Sequence, residues 1–240
     1  MISRKDEEEL QFRHEVKQEI SRLDMIVLRQ RLGAVLQRDA HVIDGRYQIR
    51  SMYFDTPSDK ALREKLDGVN IREKYRIRMY NHDPSVIQLE RKYKHGGLGY
   101  KETTRLTPWQ VEAILAGDVG WMVTDPDSLY PSAQDPVLLG FYTRIRNEGL
   151  GAKVLVDYTR EPFVYGPGNV RVTLDYDIRT GLSSTAFFDA QTATIPVAED
   201  PCILEVKWDA YLPDVIRDAV QLPGRRSGAY SKYAACRMYD

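Results

Sequence analysis

The segment Ile71–Tyr80, Ile-Arg-Glu-Lys-Tyr-Arg-Ile-Arg-Met-Tyr, restricts the fold more than any other stretch of the chain. Successive residues of a strand point to opposite faces. Arg72, Lys74, Arg76 and Arg78 therefore share one face, and Ile71, Glu73, Tyr75, Ile77 and Met79 share the other. The theme recurs elsewhere. Gln88, Glu90, Lys92 and Lys94 alternate with Ile87, Leu89, Arg91 and Tyr93. Arg13, Glu15, Lys17 and Glu19 stand opposite Phe12, His14, Val16 and Gln18. Arg171, Thr173, Asp175, Asp177 and Arg179 alternate with Val170, Val172, Leu174, Tyr176 and Ile178. Glu205 and Lys207 alternate with Leu204, Val206 and Trp208.

Two arrangements satisfy this pattern. Antiparallel sheets often turn alternating charges to water, which makes these faces solvated. The other arrangement is a barrel whose polar faces point inward around a wet cationic lumen; about eight strands leave room for side chains or one small ligand. Such a lumen needs anions, because like charges in low dielectric repel and depress lysine pKa values. Interspersed Glu and Asp supply part of that charge, and a polyanionic ligand supplies the rest. The planar fork of Arg suits phosphate. Carboxylates such as Glu90 and Glu205 beside phosphate call for a hard divalent cation, Mg2+ or Mn2+.

The alternation predicts strands near Phe12–Ile20, Tyr47–Phe54, Val69–Tyr80, Val86–Lys94, Tyr100–Leu106, Leu139–Arg146, Lys153–Arg160, Val170–Arg179 and Cys202–Trp208. Ser21 caps a helix to about Leu36, with Leu23, Val27 and Leu28 on its apolar face. Pro57–Leu66 and Pro213–Leu222 read as short helices, and Thr107-Pro108 starts a third that stops at Gly117. Asp125–Asp135 reads as loop. Lys94–Lys101 is glycine-rich but lies between two strands and lacks phosphate-loop spacing, so it reads as a hairpin turn. The result is a mainly β (α+β) chain whose strands stack as a sandwich or close as a barrel.

The 240 residues show no repeat, low-complexity linker or Pro/Gly-rich boundary. Residues 11–240 therefore read as one domain behind a frayed N-terminus, 1–10, with an acidic run at Asp6–Glu9. A net charge of −1 argues against a generic nucleic-acid binder. No apolar run approaches the ~20 residues of a membrane span, and no leader opens the chain, so neither membrane segment nor signal peptide is expected. Cys202 and Cys236 are too few for a zinc cluster or a disulfide framework and read as buried small hydrophobes in a reducing, cytoplasmic setting. His14, His41, His82 and His95 have neither metal-ligand nor triad spacing. Trp109, Trp121 and Trp208 do not interleave with basic residues as single-strand binders require. Arg225-Arg226 reads as an exposed basic loop.

Ordered short blocks carry a family resemblance. Arg13-His14-Glu15-Val16-Lys17, Ser51-Met52-Tyr53-Phe54-Asp55, Ala61-Leu62-Arg63-Glu64-Lys65, Lys74-Tyr75-Arg76-Ile77-Arg78 and Glu90-Arg91-Lys92 resemble the vacuolar transporter chaperone (VTC) domain. So do Asp157-Tyr158-Thr159-Arg160, Val170-Arg171-Val172-Thr173-Leu174-Asp175, Leu204-Glu205-Val206-Lys207 and Ser231-Lys232-Tyr233. That family is the polyphosphate polymerase branch of the triphosphate tunnel metalloenzymes, related to CYTH proteins. The resemblance implies an eight-stranded antiparallel β tunnel with peripheral helices. It implies a transferase that moves the γ-phosphate of ATP onto polyphosphate with Mn2+ or Mg2+. By position, it implies basic tunnel residues at Lys17, Arg63, Arg76, Arg78, Lys92, Arg160, Arg171 and Lys232, and a metal carboxylate at Glu205. Lys17, Arg76, Arg78 and Lys232 are expected to act on the transferred phosphate, and Arg63, Lys92, Arg160 and Arg171 to bind phosphates.

One departure is informative. Hydrolytic tunnel enzymes carry Glu-x-Glu-x-Lys on the first strand, whereas this chain has Arg13-x-Glu15-x-Lys17. The change removes one metal ligand and leans towards the polymerase branch, with Glu15 left as second metal carboxylate. A triphosphatase using the same lumen, and a non-catalytic module that binds polyphosphate or another organophosphate, are the alternatives.

Overall fold

Period-two alternation sets the shape of the molecule. The computed structural model describes residues 13–40, 42, 44–96, 98–123 and 135–239. The acidic run at 6–9, Phe12, His41 and all but the last residue of the expected loop at 125–135 lie outside the described residues. The strands are β1 (His14–Ile20), β2 (Gln37–Arg38), β3 (Tyr47–Asp55), β4 (Arg72–Tyr80), β5 (Asp83–His95), β6 (Leu98–Leu106), β7 (Gly151–Tyr165), β8 (Val170–Thr180), β9 (Ile195–Pro196) and β10 (Cys202–Trp208). Eight of them pair antiparallel in the order β1-β10-β8-β7-β3-β4-β5-β6, with β2 and β9 as short additions to β7 and β8. The sheet curls until its two edges meet: Arg13, just ahead of β1, donates its N–H to the Gly99 carbonyl of β6 at 3.3 Å. The expected antiparallel barrel with peripheral helices is what the chain forms.

The helices are α1 (Arg22–Val35), α2 (Lys60–Leu66), α3 (Pro108–Leu115), α4 (Pro136–Glu148), α5 (Asp214–Val220) and α6 (Lys232–Arg237). Ser21 and Asp24 form a capping box at the start of α1, and Thr107 and Gln110 form one at α3, where Pro108 takes the first turn. The apolar face expected for α1 is partly wrong. Met25, Leu28 and Leu32 are its buried residues, whereas Leu23 and Val27 are exposed.

The segment Leu139–Arg146 is helical, not a strand. Asp135 caps α4 by accepting N–H bonds from Val137 and Leu138, Pro136 fits the first turn, and Gly149 closes the helix at φ 68°. Val137, Leu138 and Phe141 are buried at helical spacing. β5 and β6 pair antiparallel up to His95 opposite Leu98, as expected for a hairpin at Lys94–Lys101, of which Gly97 lies outside the described residues.

The core lies largely outside the curled sheet. Tyr75, Ile77 and Met79 of β4 join Ile87 and Leu89 of β5 under α3 and α4. Phe141 lies at the centre, with ring centroids 5.0 Å from Phe54 and 5.2 Å from Tyr75. Val172, Leu174, Leu204 and Val206 pack under Leu28 and Leu32 of α1 and Ile216 of α5, with Cys202 among them. Burying each large apolar side chain contributes roughly 1.5–3 kcal/mol. The opposite sheet face looks inward. One stretch of it, Ile49, Val154, Val156, Ile178 and Ile203, is apolar and is covered by Tyr233 and Cys236 of α6. The remainder is polar.

Candidate functional site

The inward polar face surrounds a cavity of about 330 Å³. Eleven of its lining residues are Lys or Arg, two are Glu and six are Tyr. The strands deliver them by register. Lys17 stands beside Glu205, and Glu15 beside Lys207. Arg76 stands beside Tyr53 on one side and Glu90 on the other, and Arg160 lies between Tyr47 and Asp175. Lys232 arrives differently. Ser231 caps α6 by accepting the Ala234 N–H, and packing of that helix inside the sheet carries Lys232 to the cavity wall.

Buried carboxylates hold the arginines. Glu90 is fully buried and accepts from Arg76 Nε at 2.6 Å, from Arg78 Nη1 at 3.4 Å and from Lys101 Nζ at 3.1 Å. Burial raises the pKa of its carboxyl, but the charges of Arg76 and Arg78 overcome this and hold it well below the usual range. Asp175, also fully buried, takes both arms of Arg160 at 2.6 Å and Lys232 Nζ at 2.5 Å. Burial again acts upward, and Arg160 and Lys232 bring Asp175 down to about 2. Tyrosines fix the remaining guanidinium arms: Arg76 donates to Tyr53 Oη at 2.8 Å, Arg78 to Tyr158 Oη at 3.0 Å and Arg171 to Tyr47 Oη at 2.7 Å. The forks are thus oriented before any ligand arrives.

A second cluster joins β1, β10 and β5. Lys17 Nζ lies 3.1 Å from Glu15 and 3.2 Å from Glu205. Lys207 Nζ lies 2.6 Å from Glu205, and Lys92 Nζ lies 3.0 Å from Glu15. Burial pushes the Lys92 ammonium down to about 7, with Glu15 acting against it and Lys17 and Lys207 with it. Lys74 has no carboxylate at ion-pair distance among the described residues; burial and then the charges of Lys92 and Arg76 push it well below the ordinary lysine value. Among the described residues, buried Arg78 Nε, Thr173 Oγ1 and Tyr230 Oη have no hydrogen-bond partner, and all three residues line the cavity.

Of the ten site residues expected from the sequence, Glu15, Lys17, Arg76, Arg78, Lys92, Arg160, Arg171, Glu205 and Lys232 line this one cavity. Arg63 does not; it is exposed on α2. Lys74 and Lys207, which the alternation puts on the same strand faces, line the cavity too but are not among those ten. Asp175 was legible as a lumen-facing residue but not as the counter-ion of Arg160. The expected alternation fails at one point. Asp177 adopts φ 50° where the β7–β8 register shifts, so Asp177 and Arg179 leave the lumen face and Ile178 turns inward. They help line a separate small pocket instead.

The donor chemistry at Glu15 and Glu205 fits a hard divalent cation, with two carboxylates on one ammonium and oxygen ligands only. No group of three or more His, Cys, Asp or Glu that could hold a metal exists among the described residues. Two carboxylates supply only part of the oxygen shell that such a cation takes.

No described helix is long and apolar enough to cross a membrane. A family model described as VTC domain matches residues 12–239. No curated protein matches the chain significantly. Among solved structures, the chain is similar to PH1819 protein from Pyrococcus horikoshii, at 13% identity over 87% of this chain and 84% of that one, with a TM-score of 0.41. It is also similar to the Mimivirus capping enzyme triphosphatase, at 12% identity over 87% of this chain and 85% of that one, with a TM-score of 0.41.

Proposed function

The chain belongs to the VTC domain family, and from that premise we propose that it is a phosphotransferase that moves the γ-phosphate of ATP onto polyphosphate, as a single cytoplasmic domain over residues 11–240. The observation that carries this reading is the convergence of Arg76, Arg78, Arg160 and Arg171 on one cavity, with Lys17 and Lys232 beside them.

Phosphoryl transfer asks for positioning and charge neutralisation more than for covalent chemistry. Arg76, Arg78, Arg160 and Arg171 grip the triphosphate through oriented forks. Lys17 and Lys232 bear on the transferring phosphoryl group and stabilise the charge that develops on its oxygens. A terminal oxygen of the polyphosphate acceptor forms the new P–O bond, the bond between the β-phosphate's bridging oxygen and the γ-phosphorus breaks, and ADP departs with that oxygen. The acceptor oxygen is already anionic at neutral pH, so no strong general base is required. A divalent ion bound by Glu15 and Glu205 would supply charge neutralisation across the phosphate oxygens.

Hydrolysis is the second reading, favoured by one observation: Glu15 and Glu205 both face the lumen on Lys17. Incubation with ATP and Mn2+ separates the readings. Long-chain polyphosphate on a gel supports the transferase. Orthophosphate without polymer replaces it with a triphosphatase, and tight binding without turnover reduces it to a binding module.

A further inference from the structure

The turn that joins α2 to β4 gives its apolar side chains to solvent. All six residues of Leu66–Ile71 are exposed, and three of them are large aliphatics: Leu66 is 69% exposed, Val69 39% and Ile71 54%. One exposed aliphatic is ordinary on any protein surface; three within six residues mark a surface that meets something apolar. None of the three belongs to the core clusters, and α2 itself has no buried residue. Hydrogen bonds hold the turn in shape. Val69 donates its N–H to the Glu64 carbonyl at 2.9 Å, and Arg72 Nη1 donates to the Val69 carbonyl. Gly96, just past β5, donates its N–H to Asn70 Oδ1 at 3.0 Å. Gly68 takes φ 70°, which lets the chain reverse between Leu66 and Val69. The aliphatic side chains are thus held out on a preformed tip.

Cations surround that tip. Arg63 and Lys65 precede it on α2, Arg72 follows it, and Lys94 stands opposite Arg72 in the β4–β5 register. None of the four has a carboxylate at ion-pair distance among the described residues, and the neighbouring Glu73 is engaged by Arg91 at 2.7 Å and Arg144 at 2.6 Å. The opposing charges are few. Asp67 lies in the turn, and burial pushes the Glu64 carboxyl above its ordinary value. Burial, then the charges of Arg72, Lys17 and Lys94, push Lys65 below its own, as a locally positive potential requires.

Aliphatic knobs inside a ring of Lys and Arg match the surface of an anionic bilayer. The knobs enter the boundary between headgroups and acyl chains, and the cations meet the lipid phosphates. A protein partner fits less well. A stable protein interface needs about 800 Å² on each side, centred on aromatic or Arg anchors in pockets. This tip offers three aliphatics on one turn, and Leu66–Ile71 holds no aromatic residue.

We propose that the α2–β4 turn docks the protein on an anionic phospholipid bilayer, through Leu66, Val69 and Ile71 with Arg63, Lys65, Arg72 and Lys94 around them. The contact is peripheral and reversible, and it does not depend on the activity proposed above.

Cosedimentation of the whole chain with vesicles tests this, using phosphatidylcholine alone and an equal mixture of phosphatidylcholine and phosphatidylglycerol. Wild-type protein is expected to bind the anionic vesicles about tenfold or more tightly than the neutral ones, and less tightly as salt rises. Leu66→Ser/Val69→Ser/Ile71→Ser is expected to lose about tenfold or more of that affinity while binding inorganic tripolyphosphate within about twofold of wild type. In Leu66→Trp, the added indole emission is expected to shift to the blue on anionic vesicles and to be quenched by brominated acyl chains. That measurement stands even if the triple variant fails to fold. Wild-type protein that ignores anionic vesicles, a triple variant that binds them undiminished, or an indole at position 66 that stays in water on bound vesicles would each overturn the proposal. Self-association through the turn in place of vesicle binding would also overturn it and make a second copy the occupant.

Discussion

Tyr233 donates its hydroxyl hydrogen to Asp55 Oδ2 at 2.6 Å, tying α6 to the segment that leads into α2. The same carboxylate accepts N–H bonds from Thr56, Ala61 and Leu62. The Tyr233 ring stacks on Tyr53 at 5.2 Å, and Tyr53 in turn accepts from Arg76. One buried hydrogen bond thus braces both Lys232, the preceding residue, and Arg76.

Tyr233→Phe removes that bond, together with the 3.1 Å bond that the same hydroxyl accepts from Arg237 Nη1. Hydrogen bonds to charged groups contribute roughly 1.5–3 kcal/mol, so urea unfolding should shift by about that amount at an unchanged slope. An unmoved midpoint would show that the three backbone donors satisfy Asp55 unaided.

Phe141→Ala strikes the core outside the sheet. The residue is fully buried between Phe54 and Tyr75, and such truncations cost about 3–5 kcal/mol. Thermal unfolding should fall accordingly. A loss under about 1 kcal/mol would mean that α4 is not part of the main packing.

Arg160→Ala and Arg63→Ala form a matched pair. The first strips a bidentate fork from the cavity and leaves Asp175 with Lys232 alone; the second alters an exposed helix. Titration with the ATP analogue should show a loss of about tenfold or more for Arg160→Ala and a change within about twofold for Arg63→Ala. The reverse ranking would contradict the placement of the triphosphate.

Glu205→Gln keeps the shape of the side chain and removes its charge. Steady-state ATP turnover with Mn2+ should drop by about a hundredfold or more, because one of two metal-competent carboxylates is lost. Affinity for the ATP analogue without metal should hold or rise, since Lys17 and Lys207 are released from Glu205. Full turnover in the variant would remove Glu205 from the metal site.

Lys92 gives the pH dependence. Its pKa falls from 10.5 to about 7 on folding, through burial, in a setting that includes Glu15, Lys17, Lys207 and Glu205. Between those values the folded state holds fewer protons than the unfolded one, so this group's contribution to stability improves as pH climbs from 7 towards 10.5. Anion binding runs the other way. Inorganic tripolyphosphate should bind more weakly as pH passes 7 and should draw a proton onto the protein as it binds. Calorimetry in buffers of different ionisation enthalpy reads that proton, and Lys92→Arg should abolish the uptake. Uptake that persists in Lys92→Arg would assign it to another group.

The lumen was legible because alternation in β4 leaves Arg72, Lys74, Arg76 and Arg78 nowhere to go but one face. Position in the family blocks then picked out nine residues that the fold brings together. What escaped did so for local reasons. Leu139–Arg146 reads as a strand only if Asp135 and Pro136, which start a helix, are passed over. Asp177 and Arg179 obey the alternation on paper, but the positive φ at Asp177 resets it. The pairing of Glu90 with Arg76, and of Asp175 with Arg160, depends on strand register, which no single strand encodes. Arg63 was placed by block position alone, and the short helix that carries it turns it to solvent.

Because most of the oily packing lies on the outer side of the curled sheet, beneath α1, α3, α4 and α5, the bore is a lining rather than a foundation. Evolution can rewrite such a lining for a different cargo while the fabric that sustains the cylinder is left alone.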